Sequence, residues 1–394
     1  MSKHKDAKLS TQFLTLLCLF ALLLSGCSSS PATSAAPPVP TSTIEVRPAP
    51  SVTPKSDLPV TPAVPVPSTA PRADWPTKEW NTSSPEAQGL NAQKLAEMQE
   101  AIKEKNLDLH SLLIIRNGYL VSETYFGSYQ PDTRHELYSC TKSFIATLIG
   151  IALDKGYIKG TDQRVVDFFP AYKFDNLDEQ KSAMTLEDTL TMRTGLAWAE
   201  GDPAYRALYL SPDWIQYMLD EPMAAPPGSQ FNYCSGCSHL LSAILQKATD
   251  MNPRDFADQY LFKPLGISNV RWDTDGEGTP IGGWGLQLTP RDMAKLGYLY
   301  LRQGQWEGQQ IVSAKWVEDA TRTHAKTGGD LDYGYQWWTY PSLAAYMALG
   351  RFGQMIFVVP ELDLIVVTTA QMDSHDEIFN LVRQYILPAV QKAE

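Results

Sequence analysis

Ser139 and Lys142 are the residues of this chain whose types and spacing most directly predict chemistry. They precede an apolar run, 143–153, that predicts a helix, and residues three apart share one face of a helix. A serine hydroxyl needs an adjacent base, and a lysine that burial keeps neutral can be that base. The unpaired N–H groups at a helix N-terminus can also bind a developing oxyanion. The pair therefore indicates a nucleophilic serine, although a capped helix start has the same appearance.

Two further polar motifs lie far downstream. Tyr233 follows a Pro-Pro-Gly turn within Pro226–Gly236, where a phenol could exchange a proton with a leaving group if a nearby lysine lowers its pKa. The second motif, Leu349–Gln354, carries Gly350 and opens a strand, and its glycines would let the backbone approach a ligand. Taken singly, the tyrosine motif is more typical of a surface turn, and the glycine motif is as typical of a bent strand.

The folded elements must bring these motifs together. A helix is predicted over Glu86–Lys105, and Asn117-Gly118 predicts a hairpin between two short strands. The remaining predicted strands and the last helix are Tyr333–Tyr340, Tyr346–Pro360, Leu362–Ala370 and Asp376–Lys392. We therefore expect an α+β fold: an antiparallel five-stranded sheet built from both chain ends with flanking helices, plus an inserted, mainly helical lobe over Ser139–Thr323.

The N-terminus has the composition of a targeting segment. Residues 1–26 combine early lysines with an apolar stretch, Phe13–Leu24, that is too short to span a bilayer. The segment ends in Gly26-Cys27 and resembles a bacterial lipoprotein signal peptide, in which Cys27 becomes lipidated. The alternative is an ordinary secretory signal with a chance cysteine. Because Ser28 follows, the resemblance implies the bacterial outer membrane, with the protein facing the periplasm.

Residues 27–75 are rich in Pro, Ser, Thr and Ala and carry few large apolar side chains. Such a composition cannot bury enough surface to fold, so a disordered tether is predicted. The globular domain is then expected over 76–394. The net charge of −11 and the lack of a basic cluster in the folded part argue against nucleic acid as a partner.

The order of the three motifs resembles that of a known family. Ser139-x-x-Lys142, then Tyr233-x-Ser235, then the Gly350 strand look like the class C β-lactamase and serine esterase superfamily. Further matching stretches are Thr191–Leu196, Phe262–Ile267 and Gly282–Gly297, and the resemblance covers roughly Glu79–Val390. It implies a β-lactamase/transpeptidase-like fold and a serine hydrolase that needs no metal or cofactor. Together with the lipoprotein-like signal at Cys27, this predicts a membrane-anchored enzyme.

The resemblance also implies roles for individual residues. Ser139 would form an acyl-enzyme, and Lys142 and Tyr233 would share the proton transfers, with the base in each step left open. The backbone N–H groups of Ser139 and Arg351 would form the oxyanion hole. Ser235 stands where many relatives carry Asn and would contact the substrate or Lys142.

Two other positions are candidates for substrate binding. Gly350 would approach the substrate through its backbone. Trp198, together with Tyr205 and Trp214, either lines an acyl pocket or packs in the core. The expected partner is a small ester or amide substrate, besides the membrane that Cys27 would contact.

One departure from the family pattern affects the choice of substrate. β-Lactamases and penicillin-binding proteins carry Lys-Thr-Gly on the glycine strand, whereas this chain has Ala348-Leu349-Gly350 there. A literal Lys326-Thr327-Gly328 lies too early to replace it. The pattern therefore favours an esterase or amidase, similar to 6-aminohexanoate-dimer hydrolases and β-lactamase-like carboxylesterases. The alternatives are a β-lactamase or D-Ala-D-Ala carboxypeptidase, and a catalytically silent envelope-binding protein.

The cysteines flank the proposed site. Because the serine and tyrosine motifs touch in this family, the resemblance implies that a Cys140–Cys234 or Cys140–Cys237 disulfide could join them in an oxidising periplasm. The alternatives are three small buried thiols or a zinc site formed by Cys234, Cys237 and His239.

Overall fold

The structure is a computed structural model that describes residues 74–391. Within this range the strands are β1 (Leu109–Arg116), β2 (Tyr119–Tyr125), β3 (His135–Glu136), β4 (Arg271–Trp272), β5 (Leu286–Leu288), β6 (Gln305–Trp306), β7 (Gln309–Gln310), β8 (Ala325–Lys326), β9 (Asp332–Tyr333), β10 (Trp338–Tyr340), β11 (Ala345–Gly350), β12 (Gln354–Val359) and β13 (Leu364–Ala370). The helices are α1 (Ala92–Glu104), α2 (Thr141–Asp154), α3 (Glu179–Ala183), α4 (Leu186–Leu190), α5 (Asp202–Leu210), α6 (Trp214–Asp220), α7 (Ser235–Thr249), α8 (Pro253–Ala257), α9 (Pro290–Leu301), α10 (Ala314–Thr321), α11 (Asp376–Leu381) and α12 (Leu387–Ala389).

Eight of these strands form one antiparallel sheet in the order β2-β1-β13-β12-β11-β10-β9-β8. Strand β1 pairs directly with β13, for example Leu113 with Val367, so strands from the two ends of the sequence are neighbours. The region between β2 and β8 is inserted into this sheet and is mainly helical. The predicted α+β architecture is confirmed.

The predicted strand number of five is corrected to eight. Two predicted strands are each divided by a turn in which backbone φ angles are positive, at Gln336 (58°) between β9 and β10, and at Phe352 (66°) and Gly353 (96°) between β11 and β12. The third additional strand is the short edge strand β8. Asn117 (54°) and Gly118 (82°) both have positive φ angles, as a type I′ turn requires, and they connect the two strands of the predicted hairpin.

The predicted first helix is also divided. A 3-10 turn over Glu86–Gln88 ends at Gly89, whose φ is 70°. Helix α1 then starts with Asn91 as its N-cap, because the Asn91 side chain accepts a hydrogen bond from the Lys94 N–H.

The sheet separates two apolar cores, and alternate residues of its strands supply one or the other. Ile365 and Val367 of β13 face the inserted helical region, whereas Leu364 and Val366 pack against the terminal helices α1, α11 and α12. This is the two-residue period of a strand buried on both faces. The Cα of Gly297 in α9 lies against Ile356 so closely that a β-carbon there would be 2.9 Å from a methyl group.

Helix α2 lies in the middle of the helical region and packs against α7. Twelve of its fourteen residues are buried. The nucleophile motif at its start and the tyrosine motif before α7 are therefore brought together by packing of two apolar helices.

Within residues 74–391 no helix has the length and apolar character needed to cross a membrane. The predicted signal peptide (1–26), the lipidated Cys27 and nearly all of the predicted tether (27–75) lie outside the described residues and stay predictions.

Candidate active site

Ser139 lies in a 3-10 turn, Tyr138–Cys140, that leads into α2. The α-helix itself begins at Thr141, so Ser139 precedes it and Lys142 lies in its first turn. Tyr138 has a φ of 46°, in the left-handed region that non-glycine residues seldom occupy and that occurs preferentially at functional sites. Ser139 is half-buried, so its hydroxyl is held on a constrained turn.

Lys142 is buried, with 1% of its surface exposed, and its Nζ lies 3.0 Å from Ser139 Oγ. Nζ also lies 2.9 Å from Ser235 Oγ and 2.8 Å from the carbonyl oxygen of Gly283. Burial lowers the pKa of Lys142 to about 8, although the negative charge of Glu200 acts in the opposite direction. A neutral amine is therefore accessible near neutral pH, as a general base requires.

Tyr233 lies directly before α7, and the Lys142 Nζ is 5.0 Å from the centre of its ring. The ring stacks on Trp338 at 5.7 Å. Burial raises the pKa of Tyr233 well above its ordinary value, and a hydrogen bond with Ser139 offsets only part of this effect. The phenol therefore keeps its proton, whereas the sequence interpretation depended on a lysine that lowers its pKa.

Ser235 is fully buried in the first turn of α7 and joins Lys142 to an acid that the sequence did not reveal. Its hydroxyl lies 2.5 Å from Glu200 Oε1, and its backbone N–H donates to Glu200 Oε2 at 3.0 Å. Glu200 belongs to the loop before α5, and no spacing pattern relates it to Ser235. Its position two residues after Trp198 was the only available signal.

The loop that carries Gly283 lies directly against the backbone of α7. A β-carbon on Gly282 would be 2.1 Å from the carbonyl oxygen of Ser238, and one on Gly283 would be 2.7 Å from that of Ser235. Only glycine fits at these two positions without displacement of the loop. The close approach fixes the carbonyl group that contacts Lys142.

The end of β11 packs against the turn that carries Ser139. A β-carbon on Gly350 would lie 2.2 Å from the carbonyl oxygen of Leu137. The amide of Arg351 follows immediately and begins a 3-10 turn, where N–H groups have no partner within the helix. The Arg351 side chain is exposed, and its guanidinium lies 4.5 Å from the centre of the Phe352 ring.

Trp198 is buried, with 4% of its surface exposed, and its indole N–H donates to Glu200. It also packs beside Gly236, where a β-carbon would be 3.0 Å from the indole ring. Tyr205 contacts both Trp198 and Trp284 edge-to-face, at 5.9 and 5.2 Å. Trp198 therefore helps to hold the Glu200 carboxylate through its indole N–H, and its contact with substrate stays a prediction.

The predicted cysteine pairing is wrong. Cys234 forms a disulfide with Cys237, not with Cys140, because both lie at the start of α7 with their Cα atoms 5.2 Å apart. Cys140 is a buried free thiol whose Sγ lies 3.5 Å from the carbonyl oxygen of Gln354. The bridge thus encloses Ser235 within the tyrosine motif instead of joining the two motifs.

The zinc alternative is excluded by the same contacts. Both cysteine sulfurs are used in the disulfide, and the buried His239 Nε2 lies 3.0 Å from Asp275 Oδ2.

The literal Lys326-Thr327-Gly328 motif lies at the far edge of the sheet, where Lys326 forms an ion pair with Asp332 at 2.6 Å. It takes no part in the site.

The assembled groups are a hydroxyl, a buried amine and a protonated phenol, beside the backbone N–H groups of Ser139 and Arg351. Such a set can transfer an acyl group to Ser139 and then to water.

A 6-aminohexanoate-dimer hydrolase of Paenarthrobacter ureafaciens is 25% identical over 323 residues, which cover 72% of this chain and 78% of that relative.

Solved structures share the fold. A family VIII carboxylesterase superposes with a TM-score of 0.61 at 17% identity, covering 76% of this chain and 98% of that one. An octameric penicillin-binding protein homologue from Pyrococcus abyssi gives 0.60 at 19% identity, covering 76% and 78%. The Beta-lactamase family matches residues 98–391, which is most of the chain. The protein therefore belongs to the Beta-lactamase family and is a serine hydrolase.

Proposed function

We propose that the protein cleaves small esters or linear amides through an acyl-enzyme on Ser139. The observation that carries this proposal is the position of Lys142, whose buried Nζ lies 3.0 Å from Ser139 Oγ and whose pKa is lowered to about 8. An amine in this state can take the serine proton near neutral pH, which an exposed lysine cannot do.

Acylation follows from these contacts. Lys142 Nζ takes the hydroxyl proton as Ser139 Oγ bonds to the substrate carbonyl carbon, and the carbonyl oxygen gains the electron pair of the broken π bond. The Ser139 and Arg351 N–H groups bind this oxyanion. When the intermediate collapses, the Tyr233 phenol donates its proton to the leaving alcohol or amine, and the proton on Lys142 replaces it.

Deacylation repeats the sequence with water. Neutral Lys142 takes a proton from water as the water oxygen bonds to the acyl carbon. The bond to Ser139 Oγ breaks, the product acid leaves, and Ser139 regains a proton. Every proton taken up in one half-reaction is returned in the same half-reaction.

The choice of esters and linear amides rests on the glycine strand and on one relative. Ala348 and Leu349 leave the strand without the lysine that helps penicillin-recognising enzymes hold the substrate carboxylate. The Arg351 guanidinium lies over the Phe352 ring, so we do not assign it the role of the missing lysine. By its name, the similar Paenarthrobacter ureafaciens enzyme hydrolyses a 6-aminohexanoate dimer, which is a linear amide.

Covalent labelling tests the proposal. The full chain should react with a fluorophosphonate probe at Ser139, and Ser139→Ala should not react. We expect turnover of a nitrophenyl ester or a short linear amide, and little of a chromogenic cephalosporin. Failure to label Ser139 would overturn the enzymatic mechanism, and fast cephalosporin turnover would instead support a β-lactamase.

A matched pair of lysine variants tests the base. Lys155 follows the last residue of α2 and is exposed, so Lys155→Ala removes a lysine without entering the site. Lys142→Ala should lower kcat by about 100-fold or more, the usual contribution of a general base, while Lys155→Ala should retain activity. Circular dichroism of both variants monitors folding.

We further propose that Cys27 is lipidated and anchors the enzyme to the bacterial cell envelope, at the outer membrane facing the periplasm. The support is the sequence pattern alone: an apolar segment followed by Gly26-Cys27. Cys27→Ala should abolish labelling by radioactive palmitate and release the protein from the membrane fraction. Cys18→Ala, within the apolar segment, is the matched control and should keep both properties.

A further inference from the structure

We propose that Glu200 is a positioning residue that, through the Ser235 hydroxyl, directs the lone pair of neutral Lys142 at Ser139. The inference rests on the function proposed above and concerns how the base is oriented. It follows from counting the donors and acceptors around one nitrogen atom.

The hydroxyl of Ser235 has a single proton, and Glu200 determines where that proton points. Ser235 Oγ lies 2.5 Å from Glu200 Oε1, and a carboxylate accepts hydrogen bonds but donates none. Partial burial opposes ionisation of Glu200, but the Lys142 charge and hydrogen bonds from neighbouring donors outweigh it and lower its pKa. The Ser235 hydroxyl therefore donates its proton to Glu200. In the contact with Lys142, the same oxygen can only accept a hydrogen bond.

Lys142 Nζ has three polar contacts, and two of them can only accept. The carbonyl oxygen of Gly283, at 2.8 Å, has no proton, and the Ser235 Oγ, at 2.9 Å, has already donated its own. A neutral amine has two N–H groups and one lone pair. Its two N–H groups are taken by Gly283 and Ser235, so the lone pair faces the third contact, Ser139 Oγ, at 3.0 Å.

Glu200 itself is held by donors from three residues. Oε2 accepts from the Ser235 N–H and the Trp198 indole, and Oε1 accepts from the Tyr205 hydroxyl as well as from the Ser235 hydroxyl. Although Glu200 is exposed as a residue, its carboxylate is thus turned toward the start of α7. Because both carboxylate oxygens already accept hydrogen bonds from the protein, we assign Glu200 a positioning role and not the binding of a cationic substrate.

Replacing Glu200 by glutamine changes both the direction of the bond and the charge. A glutamine N–H can donate to Ser235 Oγ, which leaves the Ser235 proton free to turn toward the Lys142 lone pair. The lone pair is then no longer reserved for Ser139. The lost negative charge also removes the interaction that raises the pKa of Lys142, so that pKa should fall further.

The test is the pH profile of kcat/KM for a nitrophenyl ester with Glu200→Gln in the full chain. We expect a loss of about tenfold or more at the optimum, together with a shift of the acid limb to lower pH. Asp202→Asn, in the exposed first turn of α5, makes the same charge change without contacting Ser235 and should shift nothing. An unchanged rate, or a loss with an unshifted acid limb, would overturn the proposal.

Ser235→Ala provides a second, independent measurement if Glu200→Gln does not fold. It removes the bridging hydroxyl but keeps the carboxylate, so kcat should fall while the Glu200 charge still acts on Lys142. Full activity in Ser235→Ala would overturn the bridge. Fluorophosphonate labelling of Ser139 in the unmodified protein separates the two hypotheses: without it the proposed function fails, and with it only the role of Glu200 is at issue.

Discussion

Gly350 and Leu137 approach each other so closely that a β-carbon on residue 350 would lie 2.2 Å from the Leu137 carbonyl oxygen. Leu137 directly precedes the turn that carries Ser139, and Gly350 directly precedes the amide of Arg351. The contact therefore sets the distance between the two N–H groups that we assign to the oxyanion hole. Residues more than two hundred positions apart in sequence form one functional unit here.

Gly350→Ala should separate the Ser139 turn from the Arg351 amide. We expect kcat for a nitrophenyl ester to fall by about 100-fold, because oxyanion donors act only at the correct distance. Gly276→Ala is the matched control, since a β-carbon there meets nothing within 4 Å. Equal activities for the two variants, measured under the same conditions, would contradict this account.

The lowered pKa of Lys142 predicts the direction of the pH dependence. Lys142 must be neutral to accept the Ser139 proton, so kcat/KM should rise with pH and level off above about 8. Below that midpoint the rate should fall about tenfold per pH unit. The measurement is the initial rate of ester hydrolysis from pH 5 to 9, corrected with Ser139→Ala; a flat profile would argue against Lys142 as the base.

The disulfide assignment can be checked by mass mapping of the full chain without reductant. Cys234 and Cys237 lie in one tryptic peptide, 207–247, which should be lighter than its reduced form by two hydrogen atoms. Cys140 is fully buried, and burial raises the pKa of its thiol, so iodoacetamide should modify it only after denaturation. A peptide cross-linked through Cys140 would restore the pairing that the family resemblance implied.

Lys326→Ala should leave catalysis unchanged within about twofold. Lys326 is largely exposed, and its ion pair with Asp332 lies at the sheet edge, where such pairs contribute about 1 kcal/mol or less to stability. The readout is hydrolysis of both a nitrophenyl ester and a chromogenic cephalosporin. A selective loss of cephalosporin turnover would mean that this Lys-Thr-Gly motif contacts substrate after all.

Several features of the site could be predicted because they depend on local geometry. The i, i+3 spacing brought Ser139 and Lys142 together where a 3-10 turn leads into α2, and Asn117-Gly118 formed the expected hairpin. The strand pattern indicated the sheet but missed the turn at Phe352. Because β11 and β12 on either side of it are both apolar, the sequence resembles one long strand and the change of chain direction is not visible. The order of motifs was sufficient to indicate the family.

The sequence by itself indicated Ser139 as the candidate nucleophile, Lys142 as its partner and the α+β class, because helix spacing and strand alternation follow from backbone geometry. The order of motifs and its resemblance to a family indicated the tyrosine motif. Only the tertiary structure decided that Glu200 reaches Ser235 and that Cys234 pairs with Cys237. Those contacts depend on how a loop lies against the start of α7, which no periodicity encodes. The depth at which Lys142 is buried is likewise a property of helix packing, and that depth lowers its pKa to about 8, as the proposed role of a base requires.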